Sequence, residues 1–261
     1  MAKRYNVTIS TDYGTLIINK HDRGVGWQLS ERGCYDADEI ELFRHMIRTM
    51  KQAAPERQMI MLDIGANIGI HSVALSAEIG ATGRIYAFEA QRLVFYMLAG
   101  NVALNSLENV HCLHKAVGAE VGMIDIPQFD FSKPLIQGSV EFGPQQNEPI
   151  GQERRKDLDL QDQVECVTID SLALPRVDLM KIDVEGMEIQ VLQGAENTIS
   201  KYYPLIFVEF HKTDRGLLQN YLTERGYTLY VHTVNYLCIH KSSPIRVKSA
   251  PVSDQSSSSI S

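Results

Sequence analysis

Cysteine is scarce and scattered: Cys34, Cys112, Cys166 and Cys238 form no CxxC pair. That spacing supports neither a disulfide framework nor a structural zinc site. No apolar run approaches the roughly 18 residues of a membrane span. The opening Met-Ala-Lys-Arg-Tyr-Asn-Val-Thr leads into Ser, Thr, Asp and Gly and not into the apolar core of a signal peptide. A reduced, cytoplasmic location is the expectation. Positive charge is also short. With 25 Lys and Arg against 32 Asp and Glu the formal net charge is -7, which disfavours a broad electrostatic interface with nucleic acid or anionic membrane. What the chain does have is apolar content, 44% of 261 residues, enough for one large α/β domain with a sizeable core.

The hydrophobic rhythm changes near residue 59. Before it, two apolar-rich runs flank Thr11-Asp-Tyr-Gly14 and read as a hairpin, and Ile40, Leu42, Phe43, Met46, Ile47 and Met50 follow a helical period. Residues 1–57 therefore read as an N-terminal appendage of hairpin and helix, and 58–241 as the main domain. From 59 onward strands are expected over 59–64, 84–89, 110–117, 177–183 and 205–210, with helices over 69–79, 92–105 and after the later strands. That alternation predicts a mostly parallel sheet with helices on both faces. The last two strands, 227–233 and 236–240, are too close for a crossover and should pair antiparallel. The fold class read from the pattern is Rossmann-like α/β with a C-terminal antiparallel hairpin.

Two stretches break the rhythm. Residues 120–163 hold Pro127, Pro134, Pro144 and Pro149, many glutamines and the charged patch Glu153-Arg-Arg-Lys-Asp157. Loops of that length are substrate lids or passive insertions, and both readings stand. Residues 242–261 end in a serine-rich run and are expected to be disordered.

The chemistry starts at Met61-Leu-Asp-Ile-Gly-Ala-Asn-Ile-Gly69, where a strand hands over to a helix. Ligands of open parallel sheets bind outside such strand ends. Glycine lets the backbone approach closely, and the free N–H groups of the helix start face outward. A purely structural tight turn is the bland alternative. A phosphate loop would need Gly-Lys-Ser/Thr, which Ile68-Gly69-Ile70-His71 lacks. A dinucleotide fingerprint would need a second glycine where Ala66-Asn67 stands. Asp63 at the strand end would repel a pyrophosphate and suits a ligand with an ammonium and a sulfonium, as S-adenosylmethionine (SAM) has. Glu89 closes the second strand, where an acid accepts hydrogen bonds from both ribose hydroxyls. Nicotinamide cofactors share that last feature.

Two later strand ends add acids. Leu179-Met-Lys-Ile-Asp-Val-Glu-Gly places Asp183 at a strand terminus and Glu185 at the next helix start, as base, metal ligand or ammonium partner. Glu188 reads more simply as an acid favoured by the helix dipole. Ile206-Phe-Val-Glu-Phe-His211 delivers Glu209 and His211 to the same edge, whereas His71, a lone histidine, reads as core or surface.

"DIGANIG" at 63–69, "FE" at 88–89, "AVG" at 116–118, "KIDVEGMEIQVLQGAE" at 181–196 and "IFVEFH" at 206–211 together resemble the FkbM-type SAM-dependent methyltransferases, over roughly 35–240. The resemblance implies the class I methyltransferase fold, a seven-stranded sheet whose last strands form an antiparallel hairpin. It implies that Asp63, Gly65, Asn67 and Gly69 line the methionine end of SAM, that Glu89 holds the ribose and that Ala116 and Val117 flank the adenine, with Ala66, Ala90 and Asp183 also among the cofactor-binding residues. Proline often follows the ribose acid in the family; here Glu89 continues Ala90-Gln91, which should adjust the helix start and spare binding.

The implied reaction is methyl transfer to a hydroxyl of a sugar, glycoconjugate or polyketide-type natural product. The alternatives are N-methylation of amide side chains in a peptide and a non-catalytic SAM-binding protein. His211 and Asp183 are the candidate bases, with Glu185 and Glu209 as orienting groups or, as the lesser reading, ligands of a divalent ion; no metal is indicated. The acceptor is then a small molecule, glycan or peptide. No Asn/Asp-Pro-Pro-Tyr/Phe motif follows the fourth strand, which with the acidic balance speaks against nucleic acid.

Overall fold

The computed structural model describes residues 4–142, 146–155, 162–247 and 250–252. Strands β1 (Asn6–Thr11) and β2 (Gly14–Asn19) form the expected antiparallel hairpin, and helices α1 (Val25–Arg32) and α2 (Ala37–Ala53) follow. The alternating part runs β3 (Ile60–Ile64), α3 (Ile70–Ile79), β4 (Arg84–Phe88), α4 (Arg92–Leu104), β5 (Val110–Leu113), β6 (Ala116–Val117), β7 (Gly122–Ile126) and β8 (Asp162–Val167). It ends with β9 (Leu179–Ile182), α5 (Glu188–Gln193), α6 (Glu196–Tyr202), β10 (Leu205–Glu209), α7 (Arg215–Glu224), β11 (Tyr227–His232) and β12 (Asn235–His240). Among the described residues no helix is long and apolar enough to cross a membrane.

Seven strands make the central sheet in the order β11-β12-β10-β9-β3-β4-β5. Every pair from β10 to β5 is parallel, and β12 runs antiparallel to both β10 and β11. This is the class I methyltransferase arrangement that the resemblance implied. From β3 the chain first builds toward β4 and β5, then returns to the other side through β9. The switch point of the sheet therefore lies between β3 and β9, where a crevice opens at the strand ends.

The period of two along each strand divides the core. Met61 of β3, Leu179 of β9 and Phe207 of β10 join one cluster with the inward residues of α2, α3 and α4. Their neighbours Leu62, Met180 and Ile206 join another with Val191, Ile199, Leu218 and Leu222 of α5 to α7. Strands buried on both faces lose the alternating pattern and read as continuous apolar runs, as here. The same parity puts Asp63 and Lys181, which pair across β3 and β9, on the side of α2 and α3. Both are buried.

Four sequence expectations change. The segment 110–117 is not one strand: β5 ends at Leu113, and Ala116-Val117 pairs instead with β8. The insertion 120–163 is not irregular throughout, because β7 pairs antiparallel with β8 to complete a small sheet ordered β6-β8-β7. The first fifty-odd residues do not stand apart, since Leu16, Ile18 and Phe43 share one continuous cluster with Met61 and Phe207. They also contain α1, whose two inward anchors, Val25 and Leu29, are too few to show a period. In the tail, Ile245 is buried, and the Val252 N–H donates to the Leu229 carbonyl at 2.8 Å. Residues 248–249 and 253–261 of the expected disordered tail lie outside the described residues, as do 143–145 and 156–161 of the insertion.

Candidate active site

The turn after β3 is shaped by close approach of backbones. Gly65 has φ +80°, and a Cβ there would lie 1.8 Å from the Asp183 carbonyl oxygen, so no other residue fits without moving β9. Its N–H and that of Ala66 donate to the Phe88 carbonyl at 3.0 and 2.8 Å, joining the turn to β4. The Oδ1 of Asn67, at φ +51°, is buried without a hydrogen-bond partner. Glu89 is buried at the end of β4; its two oxygens accept from the Asn67 N–H at 3.0 Å and the Gln91 N–H at 2.7 Å. Burial pushes its carboxyl up to about 7, with the charge of Asp183 adding to the shift and the backbone donors opposing it. Gln91 then takes the N-cap position of α4 without a side-chain capping hydrogen bond.

Gly65, Asn67, Glu89 and Ala90 face Ala116, Val117 and Asp183 across a pocket of about 600 Å³, part of it open to solvent. Gly138, Val140 and Phe142 of the insertion also line it. The insertion is held there: the Gln91 side-chain amide donates to the Gln137 carbonyl at 2.9 Å, and Lys212 Nζ lies 3.1 Å from Glu148 and donates to the Ser139 carbonyl at 3.3 Å.

Beside the pocket stand three acids. One carboxylate oxygen each of Asp183, Glu185 and Glu209 lies within 4.8 Å of the other two. Burial raises the carboxyl of Glu185, and Asp183 raises it further; the paired Lys212 opposes this. Burial raises Glu209 as well, with Asp183, Glu185 and Glu188 adding to the effect, and its Oε2 has no hydrogen-bond partner. Like charges this close favour retention of a proton. Beneath them Lys181 Nζ lies 3.2 Å from Asp183 Oδ2 and 4.0 Å from Asp63 Oδ1. Burial alone would lower the Lys181 ammonium, but Asp183, Asp63 and Glu39 reverse that and raise it.

Five expected site residues do not line the pocket: Glu209, which stands beside it, and four more that stand elsewhere. Asp63 is fully buried and accepts from the Ser72 hydroxyl at 2.6 Å, which ties β3 to α3 instead of lining the pocket. Ala66 faces the core. Gly69 starts α3 at φ +87°, and a Cβ there would be 2.5 Å from Leu98 Cδ1, so it is a packing glycine. His211 is exposed, with Nε2 2.6 Å from Glu148 Oε1; Phe210 takes the inward position after Glu209 and turns His211 away. Sequence reasoning missed Gln91 and Phe142 in the pocket wall and the two cations Lys181 and Lys212. Lys181 had a signal, a charge inside an otherwise apolar strand; Phe142, in an insertion without periodicity, had none.

The residues present fit the cofactor that the fold implies, on two observations: the unpartnered Asn67 Oδ1 in the pocket and the acid closing β4 beside a glycine turn. Sheet order, terminal hairpin and pocket together define the domain as that of a class I, SAM-dependent methyltransferase. Residues 63–229, more than half of the chain, match the Methyltransferase FkbM domain, and the chain belongs to that family. Among curated proteins it is 26% identical over 160 residues to Methyltransferase sdnD of Sordaria araneosa, covering 52% of this chain and 60% of that protein. It is 25% identical over 183 residues to Methyltransferase 1 of Beauveria bassiana (strain ARSEF 2860), covering 66% of this chain and 73% of that protein. A crystal structure of methyltransferase FkbM from Methylobacillus flagellatus KT aligns at 17% identity and a TM-score of 0.47, over 77% of this chain and 49% of that one.

Proposed function

We propose that the chain transfers the methyl group of SAM to a hydroxyl of a small-molecule acceptor, of the sugar, glycoconjugate or polyketide type. The observation that carries this reading is the group of carboxyls beside the pocket, Asp183, Glu185 and Glu209; burial raises the proton affinity of Glu185 and Glu209, so that each, once deprotonated, is a stronger base than a free carboxylate. When bound, SAM supplies a methyl group on a positive sulfonium, which leaves as a neutral thioether. The protein aligns the acceptor and takes up its proton. Glu89 would hold the ribose, Ala116 and Val117 the adenine, and Gly65 and Asn67 the methionine end. Glu209 is the base once it has released its own proton, because it keeps an unpartnered oxygen while Glu185 is engaged by Lys212. Gly138, Val140 and Phe142 act as a lid latched through Lys212. The acceptor lies on the side of Glu209, away from the adenine wall.

Calorimetric titration of the purified chain with SAM, S-adenosylhomocysteine and NAD tests the cofactor. Micromolar binding of the first two, weakened in Glu89→Gln, is the expected result; binding of NAD alone would overturn the reading. Release of S-adenosylhomocysteine with panels of hydroxyl and amide acceptors then separates O- from N-methylation.

A further inference from the structure

A second group of chemistry-bearing side chains lies outside the pocket. Asp36 precedes α2, Glu39 sits in its first turn, and His71 sits in the first turn of α3. One donor atom from each lies within 4.8 Å of the other two. The His71 side chain is only 8% exposed, yet its Nε2 has no hydrogen-bond partner. It lies 2.9 Å from Glu39 Oε1 without the alignment of a hydrogen bond. Two donors each about 2.1 Å from a zinc-like ion sit roughly 3 to 3.5 Å apart, close to the separation of His71 Nε2 and Glu39 Oε1. Asp36 makes no capping hydrogen bond to α2, although it occupies the capping position.

We propose that Asp36, Glu39 and His71 bind one divalent first-row transition metal ion, of the zinc or manganese kind. Two carboxylates and an imidazole are a mixed oxygen and nitrogen donor set, which favours such ions over magnesium or calcium. Two negative charges match the ion's own. Buried Glu39 and His71 restrict water, and exposed Asp36 leaves an approach from solvent. The charged and titratable neighbours are Lys181 below the site, His232 of the hairpin beside Glu39, and Asp183 and Tyr35 near Asp36. Lys181 is already engaged by Asp63 and Asp183 and does not neutralise the site by itself. The ion clamps the start of α2 onto α3 at the edge of the reaction site. Methyl transfer is no part of this inference.

The test is calorimetric titration of the full chain, freed of metal by chelator dialysis, with Zn²⁺ and with Mn²⁺. One ion per chain is expected, with affinity lower by at least tenfold in His71→Ala and in Glu39→Gln and unchanged in Glu209→Gln. Asp36→Asn, at an exposed position, serves if the buried variants fail to fold and should show the same loss. Absence of binding by the parent chain overturns the proposal. So does binding that survives these variants, and loss in Glu209→Gln alone would move the ion to the three-carboxylate group.

Discussion

Lys181 Nζ lies 3.2 Å from Asp183 Oδ2, so the acid at the pocket mouth stands on a buried cation supplied two residues earlier on the same strand. Asp63 contacts the same ammonium at 4.0 Å from β3. Lys181→Met keeps the volume and leaves both acids without their partner. Breaking a buried pair in this way is expected to lower the unfolding free energy by about 3 kcal/mol or more, read by urea denaturation. Stability equal to the parent would show that the acids are neutralised by another group.

Glu89 is expected to act on affinity. Glu89→Gln should weaken SAM by roughly 10- to 100-fold, the loss of a charged hydrogen-bond acceptor worth about 1.5–3 kcal/mol. Asp63→Asn, by contrast, should show up in the melting temperature, because Asp63 is sealed behind Ser72 and away from the pocket. Calorimetric affinity beside thermal melting separates the two.

Glu209 carries a pH signature. Its folded-state value lies above its ordinary 4.5, chiefly through burial and then through Asp183. Between those two values the folded chain holds a proton that the unfolded chain has released. Its contribution to stability is therefore present below the ordinary value and lost as pH rises through the folded one. Glu209→Gln removes that loss. Relative to the parent the variant should gain stability as pH is raised from about 5 to about 9, by on the order of 1 kcal/mol or more, while methyl transfer falls by about a hundredfold or more. A stability difference that does not change with pH would rule out the raised proton affinity.

His211 should matter little. It is exposed and paired with Glu148, and such surface pairs contribute about 0.2–1 kcal/mol. His211→Ala is expected to keep the transfer rate within about fivefold of the parent; a much larger drop would return the base to His211.

The tail gives a stability test. A chain ending at Lys241 loses buried Ile245 and the backbone bond between Val252 and Leu229. Burial of one such side chain is worth about 1.5–3 kcal/mol, and the melting temperature should fall by several degrees. An unchanged melting curve would show that these contacts add nothing.

The class of fold was legible before any coordinates. Glycine, acid and asparagine interrupt the apolar run at Asp63-Ile-Gly-Ala-Asn-Ile-Gly69, and the spacing of β3, β4, β9 and β10 with the close pair β11 and β12 permits one kind of sheet. That Glu89, Ala116, Val117, Asp183 and Glu185 line one pocket was also legible, because strand ends of a parallel sheet all open on one edge. Such properties are local: periodicity, turn chemistry and the sidedness of a strand act over a few residues.

What only the tertiary structure decided depends on parity and on contacts between distant segments. A strand end faces the pocket or the core according to a single residue of register, which sent Asp63 inward and His211 outward. The insertion carries no period, so the placement of Phe142 in the pocket wall rests on Gln91, Lys212 and Glu148 holding it from outside. His71, Glu39 and Asp36 come from two helices, and no spacing in the chain announces them as one site. Their meeting follows from the packing of α2 on α3, set by the apolar cluster on that side of the sheet. Composition and pattern settle which surfaces must be buried, and the folded chain alone settles which polar groups are carried along with them.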